Sequence, residues 1–174
     1  AIVARGVNAG LEKAIKFLMP VLFILLFILF GYALSTDGFS QGFDFMFSFD
    51  FNKLTTESIM VALGHAFFTL SLGLGAIMAY GAYMPENTSI AKTVVIVAVL
   101  DTAVAIMAGL AIFPIVFANG LEPSAGPGLL FQTLPIAFGQ MSGGVIFGTM
   151  FFVLVSFAAW SSAISLAEPI VAWM

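Results

Sequence analysis

Four apolar stretches, each long enough to cross a lipid bilayer, constrain the fold of this chain more than any other feature of its sequence. A spanning helix needs about 20 mostly apolar residues to cross a hydrocarbon core of about 30 Å. Over 174 residues the mean hydropathy is +1.15 and only 8% of residues are charged, whereas about a quarter are charged in a soluble domain. We therefore predict an all-α membrane protein with four transmembrane helices.

The apolar stretches divide the chain into eight consecutive segments. They are an amphipathic cytoplasmic lead-in (1–16), a first span (17–36), an extracellular loop (37–58), a second span (59–84), a cytoplasmic loop (85–92), a third span (93–118), an extracellular lid loop (119–144) and a fourth span (145–174). Ala1 is not a start methionine, and the chain ends in an apolar run without a polar tail. We expect a piece excised from a longer membrane protein.

The distribution of basic residues predicts the orientation of the spans. Arg5, Lys13 and Lys16 precede the first span and Lys92 lies in the second loop, while the two other loops contain only Lys53. Because basic residues favour cytoplasmic loops, the N-terminus, the second loop and the C-terminus are predicted to face the cytoplasm of a cell (inner) membrane. The net charge of −4 and the lack of cysteine exclude a nucleic-acid binder and a disulfide scaffold.

The lid loop contains an apolar run, residues 128–138, that is too short to span the bilayer. Such a run is typical of a re-entrant or lid segment packed on protein. An interfacial helix lying on the bilayer is the alternative.

The second span has two hydroxyls and two glycines near its middle, Thr69, Ser71, Gly73 and Gly75. Glycine destabilises a helix by about 1 kcal/mol relative to alanine, and a broken helix survives in a membrane only where its free backbone groups are satisfied. Half-helix ends offer carbonyls to cations and N–H groups to carboxylates, so this pattern predicts an ion and substrate site. Close helix packing through small residues is the alternative.

The third span carries an acid, Asp101, about 12 Å into the membrane. A carboxylate at such a depth costs about 2.5–3.5 kcal/mol or more and predicts a cation ligand or a proton carrier. A helix-capping or water-exposed aspartate near a ragged helix end is the alternative. The neighbouring hydroxyls of Ser161 and Ser162 in the fourth span could bind an ion or connect helices.

The sequence offers little support for an enzyme or a metal centre. An intramembrane serine hydrolase would use Ser71 and His65, but six residues place them on different helix faces. One histidine and no cysteine give no metal-ligand cluster. A self-contained helical module, either a channel subunit or an interaction protein, stays open as the main alternative, and no enzyme is predicted.

Several motifs resemble one membrane-protein family, the neurotransmitter:sodium symporters. The runs at 64–75 (GHAFFTLSLGLG) and 80–83 (YGAY) resemble the sixth helix of this family, and Asp101-Thr102 with 108–114 resembles the seventh. The runs 157–162 and Glu168-Pro169 are similar to the eighth helix, and 10–13 with Met19-Pro20 to the fifth. The resemblance implies a fragment, helices five to eight, of the leucine-transporter inverted-repeat fold.

The resemblance also implies site residues. Thr69 and Asp101 match the first sodium site, where many members carry asparagine in place of the acid, and Ala158, Ser161 and Ser162 match the second. Pocket and gate positions are also matched. The substrate-binding positions are Phe68, Thr69, Ser71, Leu74, Ser162 and Leu166, and the gates are Phe68 and Tyr83.

The implied function is sodium-coupled amino-acid symport by alternating access, with Na⁺ as the coupling ion and no organic cofactor. His65 and Ala105 replace a glutamine and a serine of chloride-dependent members. Together with the fixed charge of Asp101, these departures imply chloride independence. The implied partners are an amino-acid substrate, the lipid bilayer and the remaining helices of the full-length transporter. The fragment alone is predicted to be inactive in transport and to self-associate, because its polar faces lack their partners.

Overall fold

The computed structural model describes residues 12–123 and 126–173, and within these ranges the chain is helical and contains no strand. The predicted lead-in therefore lies mostly outside the described residues. The elements are α1 (Glu12–Leu34), α2 (Phe39–Phe47), a 3₁₀ turn (Phe51–Lys53), α3 (Thr56–Thr69), α4 (Ala76–Ala82), α5 (Ile90–Ala118), a π turn (Leu129–Thr133), α6 (Leu134–Gln140) and α7 (Gly144–Trp173). The predicted all-α class is confirmed.

Within the described residues, three helical stretches are long and apolar enough to cross a membrane. They are Lys16–Leu34, Ile90–Ala118 and Gly144–Ala167, and they correspond to the first, third and fourth predicted spans. The second predicted span forms α3 and α4, of 14 and 7 residues, separated at 70–75. The predicted break in this span is confirmed.

Helix α3 begins at a capping box. The hydroxyl of Thr55 accepts a hydrogen bond from the Ser58 N–H at 3.1 Å, and the Thr55 N–H donates to the Ser58 hydroxyl at 2.8 Å. Two N–H groups that have no partner within a helix are thereby satisfied, which fixes the helix start.

Helix α3 ends in a Schellman arrangement. The N–H of Ser71 donates to the Phe68 carbonyl at 3.0 Å, and the N–H of Leu72 donates to the Phe67 carbonyl at 2.9 Å. This arrangement requires a left-handed residue in the position of Ser71, whose φ is 54°. Gly73 and Gly75 follow at φ of 82° and 81°, so the chain cannot resume a helix before Ala76.

The chain divides into two compact units. The first comprises the described residues of 1–17, Phe49–Val104 and the described residues of 159–174, and the second comprises Leu18–Ser48 and Ala105–Ala158. Helices α5 and α7 each contribute one part to each unit. All predicted site residues except Ala158 belong to the first unit.

The second unit has an apolar core and a close contact between α2 and α5. Fully buried core residues include Leu29, Ala33, Ile115, Val116, Leu134 and Ala137. At Gly42 a Cβ would lie 2.7 Å from the Pro114 nitrogen, and at Gly38 it would meet the Pro114 carbonyl oxygen. Phe45 packs against the rings of Phe113 and Phe117, with centroids 4.9 and 5.5 Å apart. The absence of a side chain at Gly38 and Gly42 therefore permits the close approach of α2 to Pro114 of α5.

The apolar run of the lid loop is partly buried in the second unit. Leu134, Ala137 and Phe138 are 0%, 0% and 5% exposed, while Phe131 is 64% exposed. The run forms the π turn and α6, and its second half packs on protein. That arrangement fits a lid segment better than a helix lying on the bilayer.

Candidate ion and substrate site

The break between α3 and α4 exposes two helix ends within one short segment. The Schellman arrangement uses the carbonyls of Phe67 and Phe68, and the Ala66 carbonyl accepts from the Leu70 N–H. At the start of α4, Gly75 is the N-cap and makes no side-chain capping hydrogen bond. A helix C-terminus carries partial negative charge and an N-terminus partial positive charge. The C-terminal end of α3 can therefore favour a nearby cation.

Thr69, the last residue of α3, contacts Asp101 of α5. The Thr69 hydroxyl donates to both carboxylate oxygens of Asp101, Oδ1 at 3.2 Å and Oδ2 at 3.3 Å. The two residues are 32 positions apart in the chain and meet within the first unit. A hydroxyl and a carboxylate are hard oxygen ligands of the kind that hard cations prefer. This pair of side chains is therefore suited to a hard cation.

Asp101 is the charged residue in the middle of a long apolar helix. The other charged residue of α5 is Lys92, nine positions earlier. At 1.5 Å per residue this separation is about 13 Å along the axis, too far for an ion pair, which needs contact within about 4 Å. The carboxylate of Asp101 therefore gains little from Lys92, and a bound cation would compensate its charge.

The other substrate positions of the second predicted span lie at the break. Phe68 is 75% exposed at the end of α3, and Leu74 is 50% exposed between the two helices. Ser71 is half-buried and holds the left-handed position. Tyr83 is the C-cap of α4. The break thus presents an aromatic, an aliphatic and a hydroxyl side chain beside the Thr69–Asp101 pair.

The predicted positions of the fourth span all lie on α7. Ala158 and Ser161 are half-buried, and Ser162 and Leu166 are exposed. Ser162 and Leu166 are four residues apart, so they lie on the same face of the helix. Among the predicted site residues, Thr69 and Asp101 are in contact through their side chains.

Sequence reasoning missed a polar connection between α4 and α7. The Tyr80 hydroxyl donates to the Ser165 hydroxyl at 2.7 Å, and the Ser165 hydroxyl donates to the Ser161 carbonyl at 3.0 Å. A signal existed in the sequence, because Ser165 follows Ser161 by one helical turn and so lies on the same face.

The sequence and fold of this chain are similar to those of known proteins. The model of the sodium:neurotransmitter symporter family matches residues 1–174. An uncharacterized sodium-dependent transporter of Bacillus subtilis, YhdH, is 42% identical over 98% of this chain and 38% of its own length. An uncharacterized sodium-dependent transporter of Haemophilus influenzae is 38% identical over 98% of this chain and 37% of its own length.

A solved structure shares the fold. The crystal structure of MhsT in complex with L-phenylalanine matches with a TM-score of 0.83 and 48% sequence identity, over 97% of this chain and 38% of that one. The chain thus spans well under half the length of the relatives it matches. Because the family model matches residues 1–174 of this chain, the chain belongs to the sodium:neurotransmitter symporter family.

Proposed function

We propose that this chain forms part of a sodium-coupled amino-acid symporter, here called the parent transporter, which works by alternating access. The observation that carries the proposal is the Thr69–Asp101 contact at the end of a broken helix. Transporters build ion and substrate sites from broken helices of this kind. The MhsT structure, which contains L-phenylalanine, supports an amino acid as the substrate class.

The first proposed sodium site consists of Asp101 and Thr69. Sodium would bind the Asp101 carboxylate and accept a lone pair from the Thr69 hydroxyl, whose donated hydrogen bonds of 3.2 and 3.3 Å already hold the ligands together. The bound ion would neutralise the carboxylate and favour an amino-acid carboxylate nearby. A ligand shifts a conformational equilibrium only through its different affinities for the two states. Sodium would therefore bias the protein toward outward-open and occluded states.

The second proposed sodium site lies on α7. Its ligands would be the Ala158 carbonyl and the hydroxyls of Ser161 and Ser162, again hard oxygen donors. Ser162 and Leu166, together with Phe68, Ser71 and Leu74, would contact the substrate.

Three parts of the chain are proposed to control access to the substrate. Phe68 would close over the substrate from outside, and Tyr83 would close the cytoplasmic path. The lid loop, residues 119–144, would cover the outer vestibule, and the burial of Leu134 and Phe138 gives it a fixed attachment to the second unit.

We also propose that transport is independent of chloride. The Asp101 carboxylate beside the Thr69 hydroxyl can balance the charge of sodium, so an added anion is not needed. Uptake measured with chloride replaced by gluconate should be unchanged, and a strict chloride requirement would contradict the proposal.

Binding of a panel of radiolabelled amino acids to the purified parent transporter tests the proposed function. We expect at least one amino acid to bind in the presence of sodium and to be released when sodium is replaced by potassium. Binding that is equal in the two salts for every amino acid that binds, or no binding of any, would refute sodium-coupled amino-acid symport.

The proposed orientation places the loop at 85–92 in the cytoplasm of a cell with an inner membrane and the lid loop outside. Asn87 and Glu122 are exposed, and the chain contains no cysteine. In intact cells a membrane-impermeant maleimide should label a Glu122→Cys variant and should label an Asn87→Cys variant only after permeabilisation. The reverse pattern would invert the topology.

The 174-residue chain alone is proposed to be inactive and to self-associate. Phe68 and Trp160 are 75% and 63% exposed, and Thr69 is exposed as well. Light scattering in detergent should give a mass above that of one chain, and reconstituted vesicles should show no uptake. A monodisperse monomer would contradict self-association.

A further inference from the structure

We propose that Ser165 is a positioning residue that links α4 to the second sodium site, so that the hydrogen bond from Tyr80 sets the sodium affinity. This inference rests on the proposed function, because it assigns a role to residues beside the ligands proposed above. Tyr80 and Ser165 are neither ion ligands nor substrate contacts. Their side chains hold the part of the helix backbone that carries a proposed ligand.

The hydrogen-bonded chain has a defined direction. The Tyr80 hydroxyl donates to the Ser165 hydroxyl at 2.7 Å, and the Ser165 hydroxyl donates in turn to the Ser161 carbonyl at 3.0 Å. Both hydrogen bonds are partly buried. The first joins α4 to α7 across 85 positions of the chain, and the second lies within α7, between residues four positions apart. The Tyr80–Ser165 hydrogen bond can form only while α4 lies beside α7, because the phenol hydroxyl would otherwise turn to another acceptor.

The acceptor of this chain belongs to a proposed sodium ligand. A serine hydroxyl that bonds the carbonyl four residues earlier competes with the helical N–H and often bends the helix at that point. The carbonyl in question is that of Ser161, whose hydroxyl is proposed to bind sodium. The rotamer of Ser165 therefore influences the local backbone that positions the Ser161 hydroxyl.

Gly75, the residue before α4, lies close to Pro169 of α7. A Cβ added to Gly75 would lie 3.6 Å from Cβ and Cγ of Pro169, which is ordinary van der Waals contact. Along α4 the contacts run from Gly75 to Tyr80, and along α7 they run in the opposite direction, from Pro169 to Ser165. A step of five positions in one segment thus matches a step of four positions in the other, as expected for antiparallel packing of helices that both rise about 1.5 Å per residue.

This arrangement would couple the position of α4 to the ion site. Helix α4 has only seven residues and follows a left-handed break, so it can tilt as one body around 70–75. A tilt away from α7 would break the Tyr80–Ser165 hydrogen bond and free the Ser165 hydroxyl. Coupling of this kind is reciprocal, so sodium bound near Ser161 would also hold α4 against α7.

The test uses Tyr80→Phe and Ser165→Ala in the parent transporter. Each variant should raise the sodium concentration for half-maximal amino-acid binding by about threefold to tenfold, the range expected for one lost hydrogen bond. Amino-acid affinity at saturating sodium should stay within about twofold. The double variant should shift no further than Ser165→Ala alone, because Ser165→Ala already removes the hydrogen bond from Tyr80.

Two controls separate positioning from a general structural effect. Ser165→Thr keeps the hydroxyl and should restore the normal sodium dependence. Ser156 also donates to the carbonyl four residues earlier on α7, that of Phe152 at 2.8 Å, and Ser156→Ala should leave the sodium dependence unchanged.

The outcomes distinguish this inference from the proposed function. If the unaltered parent transporter shows no sodium-dependent binding, both are overturned. If it binds normally and the Tyr80 and Ser165 variants have unchanged sodium dependence, or shift additively, only the positioning role is overturned. Should Tyr80→Phe not fold, the comparison of Ser165→Ala with Ser165→Thr decides the question alone.

Discussion

Replacement of Asp101 by alanine is expected to abolish sodium-dependent amino-acid binding by the parent transporter at ordinary sodium concentrations. The variant removes both carboxylate oxygens that accept from the Thr69 hydroxyl and the negative charge that would balance the ion. Removing one partner of a close, desolvated charge pair typically costs 2–5 kcal/mol. The sodium concentration for half-maximal binding should therefore rise by at least about 30-fold, measured by radioligand binding.

Partial variants define which property of Asp101 matters. Asp101→Asn keeps one oxygen and the shape of the side chain, so it should weaken sodium dependence less than alanine does. Thr69→Val should also weaken it, since valine preserves the branched shape but lacks the hydroxyl, whereas Thr69→Ser should retain most of the affinity.

A neighbouring hydroxyl serves as the control for these variants. Thr102 follows Asp101 on α5, and its hydroxyl donates to the Ala98 carbonyl at 2.8 Å within the same helix. Thr102→Val should have no effect on sodium dependence. Unchanged sodium-dependent uptake in Asp101→Ala would show that the first sodium site is misassigned.

The sequence allowed the break in the second span to be predicted because its cause is local. Gly73 and Gly75 adopt the left-handed conformation that glycine favours. The Thr69–Asp101 contact was expected only through family resemblance, since a pair 32 residues apart is set by tertiary packing. Nothing in residue spacing alone requires a hydroxyl at the end of one helix to meet a carboxylate in the middle of another.

Other features could not be predicted because they depend on close approach between elements. The nine-residue helix α2 lies within a stretch that the sequence indicated only as a loop, and its packing depends on Gly38 and Gly42 meeting Pro114. The Tyr80–Ser165 hydrogen bond likewise requires the register of α4 on α7. In both cases the signal in the sequence is a small or polar residue whose partner lies far away in the chain.

The attachment of the lid loop to α7 should depend on the absence of a side chain at Gly144. A Cβ at Gly144 would meet the carbonyl oxygen of Phe138, with the carbonyl carbon 2.7 Å away and the Met141 Cγ 3.0 Å away. One turn later, a Cβ at Gly148 would lie 3.2 Å from Cβ and Cγ of Phe138. Gly144 and Gly148 therefore form a flat surface on α7 that receives Phe138.

Gly144→Ala is accordingly expected to destabilise the lid attachment more than a methyl group normally would. The obstructing atoms belong mainly to backbone, which cannot rotate away as a side chain can, and overpacking typically costs about 1–3 kcal/mol, occasionally more. The apparent Tm of the parent transporter in detergent should fall, and limited proteolysis should cleave within 119–144 at a higher rate.

Gly139→Ala is the matched control, because Gly139 adjoins Phe138 and has nothing within 4 Å of an added Cβ. Since alanine is the better helix former, that control should leave the Tm unchanged or raise it slightly. If both variants lowered the Tm equally, the close contact at Gly144 would not be what holds the lid loop on α7.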